Sequence, residues 1–177
     1  NGTLLIVPRS NRLGIISDLD DTLLLSNVND KSELLGNSLL KNPQQRSAVP
    51  GAAAFLARTL ARNPRPDLSA MIYLSASPRQ LSDPIETFLT LNKFPPGVLI
   101  TKKVTNDSTG EPLTNQVAYK SAKIEAIFAR LPHVNFILLG DDGEKDPEIY
   151  QALRARHPGR VLSVWIRRVH PDPQRVR

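Results

Sequence analysis

Leu13-Gly14-Ile15-Ile16-Ser17-Asp18-Leu19-Asp20-Asp21-Thr22 runs from a short apolar stretch into three carboxylates and a hydroxyl. The apolar part is too short for a helix and reads as a buried strand. Open α/β sheets bind their ligands beyond the carboxyl ends of such strands, which is where the acids fall. Side chains alternate along an extended chain, so Asp18 and Asp20 are expected to leave it on one side, near enough to share a cation and a substrate. Two acids so placed can divide the work of phosphoryl transfer, one attacking and the other moving protons.

Further apolar runs at Ala70–Leu74, Val98–Ile100, Val134–Leu139 and Val161–Ile166 read as strands, with helical patterns between most of them. That alternation predicts an α/β fold with a mostly parallel sheet and right-handed crossovers. Residues 50–62 carry Phe55, Leu56 and Leu60 at helical spacing, and residues 119–131 carry Ile124, Ile127 and Phe128. Asp146-Pro147-Glu148 opens a third helix that stops before Pro158-Gly159. In Ser77-Pro78-Arg79-Gln80, Ser77 reads as the cap of a helical turn that starts straight after the second strand. Residues 2–12 are expected to add a strand ahead of the fold. Residues 102–116 form a long polar connection that suits either a substrate flap or an ordinary solvent loop.

The chain of 177 residues with 40% hydrophobic content fits one domain, expected over residues 1–170 with 171–177 as a tail. No apolar run reaches membrane-spanning length, and the opening residues lack the pattern of a signal peptide. Because the sequence starts with Asn1, targeting information is not legible; the location stays open between soluble and membrane-peripheral, with the cytoplasm favoured. The absence of cysteine excludes disulfides, thiolate metal sites and thiol nucleophiles. A formal net charge of +6, concentrated in Arg154, Arg156, Arg160, Arg167, Arg168, Arg175 and Arg177, suits an anionic partner or a plain solvated basic surface.

The acids also have bland readings. An isolated Asp-x-Asp is usually a turn or a helix cap, but one placed behind a buried strand and followed by Thr22 is a poor candidate for either. A calcium loop counted from Asp18 would put Leu23 where glycine is needed and Asn29 where a bidentate glutamate is needed, so it fails. Ser75 could cap the turn, a task that Ser77 suits better. Lys123 lies one turn from Lys120 and competes with it for the site. Asp21 points away from Asp18 and Asp20, and His133, His157 and His170 have no ligand spacing.

Together, Asp18-Leu19-Asp20-Asp21-Thr22, Tyr73-Leu74-Ser75, Lys120 and Gly140-Asp141-Asp142-Gly143-Glu144-Lys145-Asp146 follow the order of the haloacid dehalogenase superfamily. Phe136-Ile137-Leu138-Leu139 ahead of the late acids and Pro147-Glu148-Ile149-Tyr150 behind them resemble the lipin-type branch, in particular the actin-patch-type phosphatidate phosphatases and their bacterial relatives. The likeness runs from about Gly2 to Val169. It implies a three-layer Rossmann-like fold with little or no cap. It also implies Asp18 as nucleophile and Asp20 as acid and base, with Thr22, Ser75 and Lys120 on the phosphoryl oxygens. Mg²⁺ is expected between Asp18, the Asp20 carbonyl and Asp141, with Asp146 orienting Lys120 or a metal-bound water. Asp142 stands where the family pattern has serine, so either a metal contact or a solvated neighbour suits it.

The short intervals around Ser75 leave no room for a separate cap, which favours a bulky or surface-held phosphate ester, phosphatidate in a membrane above all, with nucleic acid disfavoured. Leu23-Leu24-Leu25, Leu34-Leu35 and Leu39-Leu40 suit acyl chains or, more commonly, core. The alternatives are the same chemistry on a phosphoprotein or soluble monoester, and a phosphatidate-binding module without catalysis. The module fits poorly, because both Asp18 and Asp20 are present. A response-regulator receiver also gathers acids, a hydroxyl and a lysine, but here the later acids follow Lys120, the wrong order.

Overall fold

The computed structural model describes residues 4–25, 47–103 and 116–170. β1 (Leu13–Ser17), β2 (Ala70–Pro78), β3 (Val98–Lys102), β4 (Asn135–Asp141) and β5 (Val161–Arg167) form one parallel sheet in the order β3-β2-β1-β4-β5. The helices are α1 (Ala52–Leu60), α2 (Ser82–Leu91), α3 (Gln116–Arg130) and α4 (Asp146–Arg156). This is the expected α/β Rossmann-like arrangement, a parallel sheet with helices on both faces.

Alternation along the strands builds two cores. Leu13, Ile15, Met71, Tyr73, Ile137 and Leu139 face α1 and α2, meeting Leu56, Leu60, Ile85 and Phe88. Ile16, Ile72, Leu74, Phe136 and Leu138 face α3 and α4, meeting Ile124, Phe128, Ile149 and Leu153. Each such side chain taken fully out of water contributes about 1.5–3 kcal/mol. Crossovers of one hand put helices on opposite faces when the chain reverses its direction across the sheet. It does so here, stepping from β1 out to β3 and then returning beside β1 as β4. The carboxyl ends of β1 and β4 therefore flank the switch point, where ligand crevices form.

Two expectations are corrected. Residues 4–12 contain a turn at Arg9-Ser10 and no strand. Both neighbours of β1 are already taken by β2 and β4, and Pro8, whose carbonyl accepts the Asn11 N–H, starts a turn instead of a ladder. The stretch after β2 is not a helix capped by Ser77: the strand continues through Pro78, a 3₁₀ turn follows at Arg79–Leu81, and no side chain caps it. Leu23 and Leu24 are core residues. Leu34-Leu35 and Leu39-Leu40, most of the polar connection after Lys103, and residues 171–177 lie outside the described residues.

Candidate active site

β1 ends at Ser17, and the chain then turns sharply: the Leu19 carbonyl accepts the N–H groups of Thr22, Leu23 and Leu24. Asp21 sits in the left-handed region at φ 56°, a conformation costly for a residue with a Cβ. Its carbonyl accepts a guanidinium N–H from Arg167 at the end of β5, which pins the turn. Through the turn, the Asp20 carboxylate faces the hydroxyls of β2 while Asp18 faces Lys120.

Asp18 enters the switch point. Its Oδ1 accepts from Lys120 Nζ at 2.8 Å and its Oδ2 from Thr22 Oγ1 at 3.1 Å. Lys120 comes from the first turns of α3, is 1% exposed, and also donates to Asp146 Oδ1 at 2.6 Å, with Glu144 Oε2 at 3.8 Å. Lys123, the rival in sequence, lies over the Tyr119 ring instead. Burial works against the charge on Lys120, yet Asp18 and Asp146 outweigh it and hold its pKa well above the ordinary lysine value.

Asp141 closes β4; its Oδ1 accepts the Gly143 N–H at 2.7 Å and its Oδ2 lies 3.4 Å from Thr22 Oγ1. Burial and the Asp18 charge raise its pKa to about 6. Asp146, at the start of α4, is fully buried against β4 because Gly140 leaves room for it: a Cβ at Gly140 would run into the Asp146 carboxylate and come within 2.8 Å of the Tyr150 ring. Burial, then the Asp18 charge, raise the Asp146 pKa.

Asp20 faces β2. Its Oδ2 lies 3.4 Å from Ser75 Oγ and 3.3 Å from Ser77 Oγ, and burial together with the Asp18 charge raises its pKa to about 7. Ser75 Oγ accepts the Ser77 N–H at 2.9 Å, a local bond within the last residues of β2. The Ser77 hydroxyl is turned to the site instead. Extended spacing in a longer second strand was the signal that could have found it. Tyr119, whose hydroxyl donates to the Ser75 carbonyl at 3.4 Å, was not foreseen either.

Asp142 is neither solvated nor aimed at the cluster. Its Oδ1 accepts the N–H groups of Val169 and His170 at 2.6 and 2.7 Å, and these bonds hold its pKa below the usual range despite the opposing cost of burial. His157 contacts Glu125 and the Phe128 ring, away from the acids.

Carboxylate oxygens of Asp18, Asp141 and Asp146 lie within 4.8 Å of one another. Asp146 Oδ2 is buried and has no hydrogen-bond partner. A buried carboxylate oxygen without a donor is expensive, and among the described residues Lys120 is the cation paired with Asp18 and Asp146, with Asp141 beside them. An all-oxygen donor set with excess negative charge suits a hard divalent cation such as Mg²⁺.

The family model described as the catalytic domain of phosphatidate phosphatase APP1 matches residues 13–168. Phosphatidate phosphatase APP1 of Saccharomyces cerevisiae is 30% identical over 155 residues, covering 88% of this chain and 26% of that protein. The chain spans about a quarter of the length of the curated relatives it matches. Among solved structures, the class C acid phosphatase from Bacillus anthracis with tungstate bound aligns at a TM-score of 0.53 and 16% identity, covering 88% of this chain and 67% of the other. The HAD domain of effector protein Lem4 from Legionella pneumophila aligns at 0.53 and 14% identity, covering 92% and 89%. At these identities the two structures speak for the shared fold alone.

Proposed function

Because the chain belongs to the phosphatidate phosphatase APP1 catalytic-domain family, a family of phosphoric monoester hydrolases on the haloacid dehalogenase fold, we propose that it dephosphorylates phosphatidate to diacylglycerol through an aspartyl phosphate on Asp18. The observation that carries this reading is the convergence of Asp18, Lys120, Asp141 and Asp146 at the switch point, with Asp20 and two serine hydroxyls beside them.

An Asp18 carboxylate oxygen attacks phosphorus, the bond from phosphorus to the glycerol oxygen breaks, and Asp20 gives that oxygen its proton. Asp20 then takes a proton from water, which attacks phosphorus and frees Asp18 and inorganic phosphate. A carboxyl group near neutrality suits both directions of transfer. Thr22, Ser75 and Ser77 supply hydroxyls, and Lys120 a fixed positive charge, to the phosphoryl oxygens. Asp146 holds Lys120 in place at 2.6 Å. The Asp18, Asp141 and Asp146 carboxylates, with the Asp20 carbonyl, would hold Mg²⁺, which when bound offsets the repulsion between the nucleophile and an anionic substrate.

Asp142 takes no part in this chemistry and serves the backbone after β5. We take residues 1–170 as one catalytic domain. No helix among the described residues is long and apolar enough to cross a membrane, which fits a soluble or membrane-peripheral protein, with the cytoplasm favoured. The test is phosphate release from vesicles containing phosphatidate, set beside soluble monoesters and phosphopeptides. Mg²⁺-dependent release from the vesicles, reduced to background in Asp18→Asn and in Asp20→Asn, is expected. Release from soluble esters or peptides alone would move the substrate assignment to those classes, and binding without turnover would leave a lipid-binding module.

A further inference from the structure

The side of the molecule where α1 meets β5 combines an exposed aromatic ring with basic side chains. Trp165 projects from edge strand β5 with 53% of its surface exposed, and its ring centroid lies 5.2 Å from that of Phe55 on α1. Its indole N–H is already donated to Ser163 Oγ at 2.9 Å, so what the ring offers outward is apolar surface. Neither residues 50–65 nor residues 158–170 contain an acid. Arg58, one helical turn beyond Phe55, is exposed, and so is Arg168, the first residue past the end of β5, where strand alternation no longer fixes its side. Arg160 and Arg65 are occupied elsewhere, the first on the carbonyls of Phe128, Leu131 and Val134 and the second on Asp67. Arg167, two residues past Trp165 and therefore on the same side of the strand, reaches the Asp21 carbonyl in the turn that carries Asp18, Asp20 and Thr22. The aromatic and basic face thus continues to the rim of the candidate active site.

We propose that this face docks on an anionic lipid bilayer, with the Trp165 ring at the headgroup level and Arg58 and Arg168 against lipid phosphates. Tryptophan favours that boundary, and each arginine near an anionic surface adds attraction. Charge complementarity separates this occupant from a second copy of the chain, because the two segments that build the face carry arginines and no acid, and two such surfaces repel each other. Its benefit to turnover rests on the phosphatidate reading, since it brings the site to the membrane that holds the substrate; adsorption itself requires no turnover.

Trp165 is the single tryptophan of the chain, so its emission reports this face alone. The protein is titrated with phosphatidylcholine vesicles with and without phosphatidylglycerol, an anionic lipid that is not a phosphomonoester. A blue shift and co-flotation with the phosphatidylglycerol vesicles only, both lost at high salt, are expected. The double variant Arg58→Glu, Arg168→Glu should partition about tenfold more weakly or worse. Trp165→Ala should also lose co-flotation. Both variants should slow phosphate release from vesicle-held phosphatidate while leaving release from a water-soluble monoester unchanged, which shows that they fold. Absence of shift and flotation in the parent protein overturns the proposal, as do variants that match the parent on vesicles or a shift that tracks protein concentration without lipid. Flotation without hydrolysis of phosphatidate keeps the docking face and removes the substrate assignment.

Discussion

Lys102 ends β3 with 1% exposure; among the described residues its Nζ has no hydrogen-bond acceptor and faces the Tyr119 ring, 5.3 Å from the ammonium to the centroid. A buried ammonium without a carboxylate costs more than a flexible apolar side chain of similar length. Lys102→Met is therefore expected to raise the melting temperature or leave it unchanged, and thermal denaturation of the two proteins decides. Gly140 makes the opposite case. Gly140→Ala drives a methyl into the Asp146 carboxylate, so it should cost about 1–3 kcal/mol by overpacking and weaken Mg²⁺ binding, both measurable by calorimetry. Lys120 and Lys123 illustrate what a sequence leaves undecided at this scale. One helical turn separates them, and only the packing of α3 on the sheet shows which of them is buried beside Asp18.

At the scale of elements, Asp142 fastens the segment after β5 to the end of β4 through the Val169 and His170 N–H groups. Asp142→Ala should destabilise the fold by about 1–3 kcal/mol, with faster hydrogen exchange confined mainly to Val169 and His170. The five strands and the helices at residues 50–62, 119–131 and 146–157 were legible because each strand is apolar on both faces and each helix on one. The order of motifs along those elements sufficed to bring Asp18, Thr22, Lys120, Asp141 and Asp146 into one list. What periodicity could not convey was how far β2 extends. Its last residues, Ser75 through Pro78, look like the start of a helix, and reading them so hid Ser77 from the site. Arg167 reads in the sequence only as one of a basic cluster, for a related reason: its contact with Asp21 joins residues far apart in the chain and brought together by the pairing of β5 with β4.

Across the whole molecule, the acids of the site couple stability to pH. Without metal, Asp20 and Asp141 keep protons in the folded state to about 7 and about 6, against an ordinary value of 3.8. The native state then binds more protons than the unfolded state over that window, so their contribution is fully present below pH 4 and is lost as pH rises through these values. Chelator-treated protein is expected to melt at a lower temperature at pH 8 than at pH 5, with a shallower decline in Asp141→Asn. Added Mg²⁺ should recover more of the melting temperature at pH 8, where protons no longer compete for the carboxylates. The fastening of Val169 and His170 by Asp142 also has a practical side. It delivers the chain, as it leaves β5, to the same sheet edge that carries Asp18 and Asp141. An affinity tag or fluorescent fusion appended beyond His170 sets out from the mouth of the catalytic crevice, so a reporter or surface tether placed there would crowd incoming substrate.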